Sequence, residues 1–273
     1  MHGPLPGTGA LEYCTGTVPG PGGLGPERRF GAGARIAAGN WRPVPPDGPD
    51  GPGGFTAPAA EFRTGRGVAL FPGPPGIGEL IARWAVGGAG TGVEAAGRRA
   101  RAIAREAMSA LAPFAAGLSQ EPLPAAPPYG IVVNHPDDPA VTIDPRSGER
   151  IGLHIDSWER LPPAGRDASS NRICLNLGRE PRWLVFVPVP VAVLARQDEP
   201  RQRRLPAPEL PGWYFAAHPD CTVLRLRVDP GWGYVAPTEN MIHDGSTSGS
   251  TGTGAALFVR GRFRPPTDDM SAK

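Results

Sequence analysis

Beyond residue 128 the chain alternates apolar and polar positions in short runs broken by turn residues. Residues 129–134, Tyr-Gly-Ile-Val-Val-Asn, predict a strand. Residues 140–144 and 150–156 predict a hairpin around Pro145 to Glu149. Residues 171–177 and 182–187 predict two more strands, split by Gly178, with Pro188 and Pro190 ending the second. Residues 221–228, 233–236, a segment near Ile242 and His243, and 255–263 follow, which makes about eight strands, the texture of a sandwich or barrel. No helical pattern separates these strands, and residues 197–211 read as a charged, proline-bounded loop, so a doubly wound parallel sheet is not expected. Upstream, residues 77–86 predict a short helix. Residues 93–116 predict an amphipathic one, with Ile103, Met108, Leu111 and Phe114 on its core face and Pro113 kinking it or ending it early.

Composition changes the picture at the N-terminus. The 273 residues include 39 Gly and 36 Pro, and 26 of these fall within residues 1–60. Stretches such as Pro19-Gly20-Pro21 and Pro45-Pro46-Asp47-Gly48-Pro49 cannot hold a long helix or a central strand, so residues 1–60 are expected to form an extended, surface-hugging or partly disordered arm. Residues 61–273 are then expected to form a single domain, with a helical layer preceding its strands. The net charge of +2 offers no basic surface for nucleic acid or acidic membrane, and no apolar run reaches the ~20 residues of a membrane span. Cys14, Cys174 and Cys221 are far apart and form no CxxC pair, which excludes a zinc ribbon or thioredoxin-type site. Residues 1–10 lack the basic and apolar regions of a signal peptide; with the odd cysteine count, this makes a cytoplasmic protein the expectation.

Five histidines carry the candidate chemistry: His2, His135, His154, His218 and His243. His-x-Asp occurs at His135/Asp137, His154/Asp156 and His218/Asp220. Pro136 and Pro219 place the first and third in turns. His154-Ile155-Asp156 sits instead in an apolar strand, where residues i and i+2 face the same way about 7 Å apart. His243 is the reasonable third ligand, far enough along the chain to leave room for several intervening strands. Two histidines and a carboxylate with open positions form the ligand set of non-haem Fe(II) oxygenases. Arg172, Cys174 and Asn176 alternate on the strand after the first ligands, and Trp158 follows Asp156, where it can wall a substrate entrance. Residues 246–254, rich in Ser, Thr and Gly, are expected to form a mobile lid.

The segment Gly152-Leu-His-Ile-Asp-Ser-Trp158, the later His243 and an arginine on the last strand resemble the Fe(II)/2-oxoglutarate-dependent oxygenases, over residues 125–265. The resemblance implies a mainly β fold with flanking helices, a double-stranded β-helix or jelly roll. It implies Fe(II) held by His154, Asp156 and His243, with 2-oxoglutarate as cosubstrate and O2 as oxidant. The distal carboxylate of 2-oxoglutarate would be anchored by Arg260, or by Arg262 two positions on, because a guanidinium fork matches a carboxylate. Arg260 lies 17 residues after His243, longer than the family's usual interval. Asn176 would hydrogen-bond the cosubstrate or the metal-bound water. Related halogenases carry Gly or Ala where this chain carries Asp156, so the resemblance implies hydroxylation, or another oxidation such as desaturation or ring closure, of an amino acid, peptide or natural-product intermediate, and not halogenation. The alternative is a cupin-like metal-binding barrel without oxygenase activity, an isomerase or small-molecule binder, although the chain has no His-x-His.

Overall fold

The computed structural model describes residues 11–21, 28–44, 67–86, 93–124, 129–197 and 206–265. The chain is mainly β, with three sheets and few helices. The strands are β1 (Leu11–Thr15), β2 (Thr17–Pro19), β3 (Phe30–Ala37), β4 (Arg42–Pro43), β5 (Ala69–Pro72), β6 (Tyr129–Asn134), β7 (Arg150–Gly152), β8 (Asn171–Asn176), β9 (Arg182–Phe186), β10 (Thr222–Val228), β11 (Trp232–Ala236), β12 (His243–Ser246) and β13 (Gly254–Gly261). The helices are α1 (Ile77–Val86), α2 (Val93–Leu118), α3 (Val191–Gln197) and α4 (Leu210–Ala217). One five-stranded sheet runs β5-β11-β8-β13-β6, a second runs β12-β9-β10-β1-β4, and a small third runs β2-β3-β7.

The two large sheets face each other, and the period of two along each strand decides what lies where. On β8 and β13, Cys174 and Ala256 point into the space between the sheets. There they meet Leu184 and Phe186 of β9, Leu224 and Leu226 of β10, and Tyr234 of β11. The alternate residues Ile173, Leu175, Leu257 and Val259 point outward, against Ile77 and Leu80 of α1 and Leu111 and Leu118 of α2. The outer face of the second sheet, including Val185 and Val223, is covered by Leu194 of α3 and Leu210 and Phe215 of α4. Burial on both faces accounts for the strongly apolar strands, each fully buried Leu or Val side chain contributing about 1.5–3 kcal/mol.

Three expectations change. The Gly/Pro-rich tract contributes strands: β1 pairs antiparallel with β10 through Leu11↔Leu226 to Thr15↔Thr222, and with β4 on its other side. A short run, Leu-Glu-Tyr-Cys-Thr, is free of Gly and Pro, and that suffices for an interior strand with Cys14 in the core. Pro113 does not end α2, which continues to Leu118. Both Pro113 and Ser109, whose carbonyl would have bonded the missing N–H, face solvent, while Leu111, Ala115 and Leu118 hold the buried face. Helices α3 and α4 interrupt the β region between β9 and β10; Pro190 precedes the first, and Pro211 lies in the first turn of the second. The expectations for the Ile103 side chain and for residues 22–27, 45–60 and 198–205 fall outside the described residues. Among the described residues, no helix is long and apolar enough to cross a membrane.

Candidate metal centre

Gly152 turns the chain that carries the first two candidate ligands. Its φ of +68° favours glycine, and a Cβ there would lie 2.4 Å from the Arg35 carbonyl oxygen of β3. The extended segment that follows borders β12: the His154 N–H donates to the His243 carbonyl at 3.0 Å, and the His243 N–H donates back at 2.8 Å. Farther on, the Asp156 N–H donates to the Thr238 carbonyl at 3.2 Å. Leu153 and Ile155 alternate outward into the core under α3 and α4, so His154 and Asp156 point inward together. The predicted strand 150–156 is thus regular only to Gly152 and continues as an isolated bridge.

The three ligand atoms of His154, Asp156 and His243 lie within 4.8 Å of one another. His154 Nε2 is 3.6 Å from Asp156 Oδ1, and His243 Nε2 is 3.8 Å from Asp156 Oδ2. Each imidazole is oriented through its other nitrogen: His154 Nδ1 contacts the Gly152 carbonyl at 2.8 Å, and His243 Nδ1 contacts the Met241 carbonyl at 3.1 Å. A carbonyl can only accept, so Nδ1 carries the proton and the lone pair of each Nε2 faces the cluster.

Burial pushes His243 down to about 3, with the neighbouring His154 adding to the effect, so its ring is neutral. Burial also opposes charging of His154, yet the Asp156 hydrogen bond and the charges of Asp244 and Asp156 outweigh it and raise its pKa. Burial would raise Asp156, but the Arg172 guanidinium and the two histidines hold its carboxyl well below the usual range. Arg172, on the inward face of β8, reaches both remaining ligands. Its Nη1 lies 3.3 Å from Asp156 Oδ2, and its Nη2 lies 3.3 Å from His243 Nε2.

A buried scaffold holds this arrangement. Arg166, on the short 3-10 turn Pro163–Ala168, is fully buried and donates through Nη1 to the Asp156 and Glu239 carbonyls, both at 2.6 Å, and through Nη2 to Ser157 Oγ at 2.8 Å. The Glu239 carboxylate accepts the Glu159 N–H, which ties down the loop after Asp156. Beside His243, Asp244 Oδ1 accepts from Thr142 Oγ1 at 2.6 Å and from the Gly245 N–H at 2.7 Å.

The other predicted residues separate. Arg260 faces inward beside Arg172, its cross-strand partner, and stacks on Trp158 with its guanidinium carbon 4.2 Å from the ring centroid. Trp158, 54% exposed, lines with Arg260, Arg262, Glu121, Glu159 and Leu123 a groove of about 310 Å³. Arg262 is engaged by Glu121 at 3.2 Å and Glu159 at 3.8 Å. Asn176 lies four residues along β8 from Arg172, about 13 Å away, and its amide bonds Gly178, Glu180 and Val228 of the neighbouring backbone. His135 and His218 stay outside the cluster: the His135 carbonyl accepts Thr247 Oγ1, and His218 caps α4 against the Tyr214 ring at 4.8 Å. Residues of the expected lid, 246–254, bond to distant parts of the fold: the Thr247 N–H and Ser246 Oγ donate to the Asp138 carbonyl, and Thr251 donates to the Glu180 carboxylate. Sequence reasoning placed Arg172 on the right face without giving it a role, and Arg166, Glu239 and Asp244 gave no local signal.

This donor set fits a divalent transition metal ion. Neighbouring ligand atoms at about 2.0–2.2 Å from one ion lie about 3 Å apart, so the three side chains, now within 4.8 Å of one another, have to close by roughly 1–2 Å, a movement within reach of side-chain rotation. Asp156 Oδ2 is buried, with Arg172 at 3.3 Å as its ion-pair partner and no well-formed hydrogen bond. Comparison with protein-family models, curated proteins and solved structures finds no match.

Proposed function

We propose that the protein is an Fe(II)- and 2-oxoglutarate-dependent oxygenase on a double-stranded β-helix, hydroxylating an amino acid, peptide or natural-product intermediate. The observation that carries the reading is the convergence of two backbone-oriented imidazoles and one carboxylate between the sheets. With both imidazoles neutral, as metal ligands must be, the two histidines and one carboxylate match the facial triad of non-haem iron. The strand order supports the fold. Alternate strands β6, β8, β11 and β13 share one sheet, while β9, β10, β12 and the His154 segment share the other, as expected when a chain winds to and fro between two sheets.

Bound Fe(II) would supply O2 activation and attack on an unactivated C–H bond. The chain's residues do the rest. His154 and His243 present lone pairs fixed by their Nδ1 contacts, and Asp156 supplies the one negative ligand. Arg166 holds the Asp156 backbone against the Glu239 backbone. Arg260 offers a guanidinium to the distal carboxylate of 2-oxoglutarate, and Trp158 stacks on it beside a surface groove that would receive the substrate.

The test is anaerobic titration of the purified chain with Fe(II) and 2-oxoglutarate, then exposure to O2. A weak visible charge-transfer band and O2-dependent succinate formation are expected. Metal bound without succinate formation would favour the cupin-like alternative, and no metal bound under any condition would end both readings.

A further inference from the structure

Arg172 occupies the side of the triad on which a metal must sit. Its two terminal nitrogens reach His243 Nε2, the atom through which that imidazole would bind a metal, and Asp156 Oδ2, one of the two carboxylate oxygens, each at 3.3 Å. These contacts are long for charge-assisted hydrogen bonds, which run about 2.7–2.9 Å, and Arg172 Nε has no partner. A guanidinium and a divalent cation cannot share those atoms, so the guanidinium has to withdraw when metal arrives. Its surroundings define where it can go. Arg172 lies over the Phe258 ring, 5.5 Å from its centroid, and its cross-strand partner on the same face is Arg260. Like charges directly opposite on neighbouring strands are unfavourable. Among the described residues, Arg260 has Trp158 for company and no carboxylate within ion-pair distance. Two inward guanidiniums on adjacent strands, one of them without an acid, form a cradle for an anion beside the metal.

We propose that Arg172 switches between the triad and a carboxylate ligand: in the metal-free chain it pairs with Asp156, and with Arg260 it grips the carboxylate of an acid bound beside the metal. Metal and acid then favour each other, because each draws Arg172 to the same position, and the coupling is reciprocal. The inference rests on the metal-centre reading above and adds to it a second carboxylate-binding residue, Arg172, and a coupling between metal and acid.

Mn(II) binding, followed by the loss of the free-ion electron paramagnetic resonance signal, separates the two. The wild-type chain is measured alone and with saturating glutarate, which has two carboxylates but no keto group to chelate the ion. Glutarate is expected to tighten Mn(II) about 5-fold or more, within the usual range of coupling between sites. The Arg172→Gln variant, with its circular dichroism unchanged, is expected to bind Mn(II) alone about 10-fold tighter than wild type and to lose the glutarate effect. Arg172→Lys, which keeps a charge but not the fork, is expected to fall between them. If Arg172→Gln binds Mn(II) no tighter than wild type, or if glutarate leaves wild-type affinity unchanged, the switch is wrong while the metal centre stands. Should neither wild type nor any variant bind Mn(II), the metal reading fails first.

Discussion

His154 and His243 face each other across a single antiparallel bridge, their ring centroids 4.7 Å apart and each backbone N–H bonded to the other's carbonyl. The bridge fixes the two imidazoles as one unit, although they lie 89 residues apart in the sequence. Ring spacing is thus set by backbone pairing, which a metal does not have to create.

Single substitutions should divide the histidines sharply. His154→Ala, Asp156→Ala and His243→Ala are each expected to abolish Fe(II) binding. His135→Ala and His218→Ala are expected to leave iron content unchanged, since their side chains lie outside the cluster. Elemental analysis of the five proteins checks this, and succinate yield should follow iron content. Iron lost from His135→Ala but kept in Asp156→Ala would move the site elsewhere.

Arg260 and Arg262 should behave differently towards 2-oxoglutarate. Arg262 is taken up by Glu121 and Glu159 near the surface, whereas Arg260 faces inward beside Arg172. Arg260→Ala is expected to weaken 2-oxoglutarate roughly 30-fold or more, the loss of a desolvated charge pair worth about 2–5 kcal/mol. Arg262→Ala should change it by no more than a few-fold. Calorimetric titration of the Mn(II)-loaded proteins reads both.

Removing the Arg166 guanidinium leaves the Asp156 and Glu239 carbonyls without their buried donor. Arg166→Met is expected to destabilise the fold by about 2–5 kcal/mol and to weaken metal binding about 10–100-fold, as loss of an outer support does. Urea denaturation and metal titration on one preparation would show both effects, and an unchanged metal affinity would reduce Arg166 to a purely structural role.

The metal-free chain should lose stability in acid partly through His243. Its folded pKa, about 3, lies below the ordinary value of 6.5, so at pH below 6.5 the unfolded chain binds the proton more readily. Its contribution is therefore present above pH 6.5 and fades as pH falls towards 3, at up to about 1.4 kcal/mol per pH unit. His243→Gln should flatten the pH dependence of urea unfolding between pH 6.5 and 5, with EDTA present throughout. A variant as acid-sensitive as wild type would contradict this.

Much of the β region was legible because its strands carry their own signals. Residues 129–134 contain the β-branched run Ile131-Val132-Val133, and they fold as predicted. His154-Ile-Asp156 was readable from alternation, since Leu153 and Ile155 declare which side is core. The short helix Val191–Gln197 was missed because its seven residues read equally well as a buried apolar stretch, and only the packing of Val191, Leu194 and Ala195 under the sheet decides the matter. Arg172 shows a different limit. Its face was predictable, but its meeting with Asp156 and His243 depends on pairings between distant strands that no local pattern encodes. The same holds for Arg166, whose partners lie ten and 73 residues away.

The seat of β1 between β10 and β4 has a consequence for how the molecule is made. Arg225 and Glu12, an ion pair across that seam, are separated by 213 residues. During synthesis the first strand emerges early and waits for most of the chain before its partner exists, so the sheet beneath the centre closes late. Until then β10 would offer a bare hydrogen-bonding edge, the kind that recruits other chains. Strand β1 covers that edge, and a variant lacking residues 11–44 would be expected to self-associate before it could assemble its histidines.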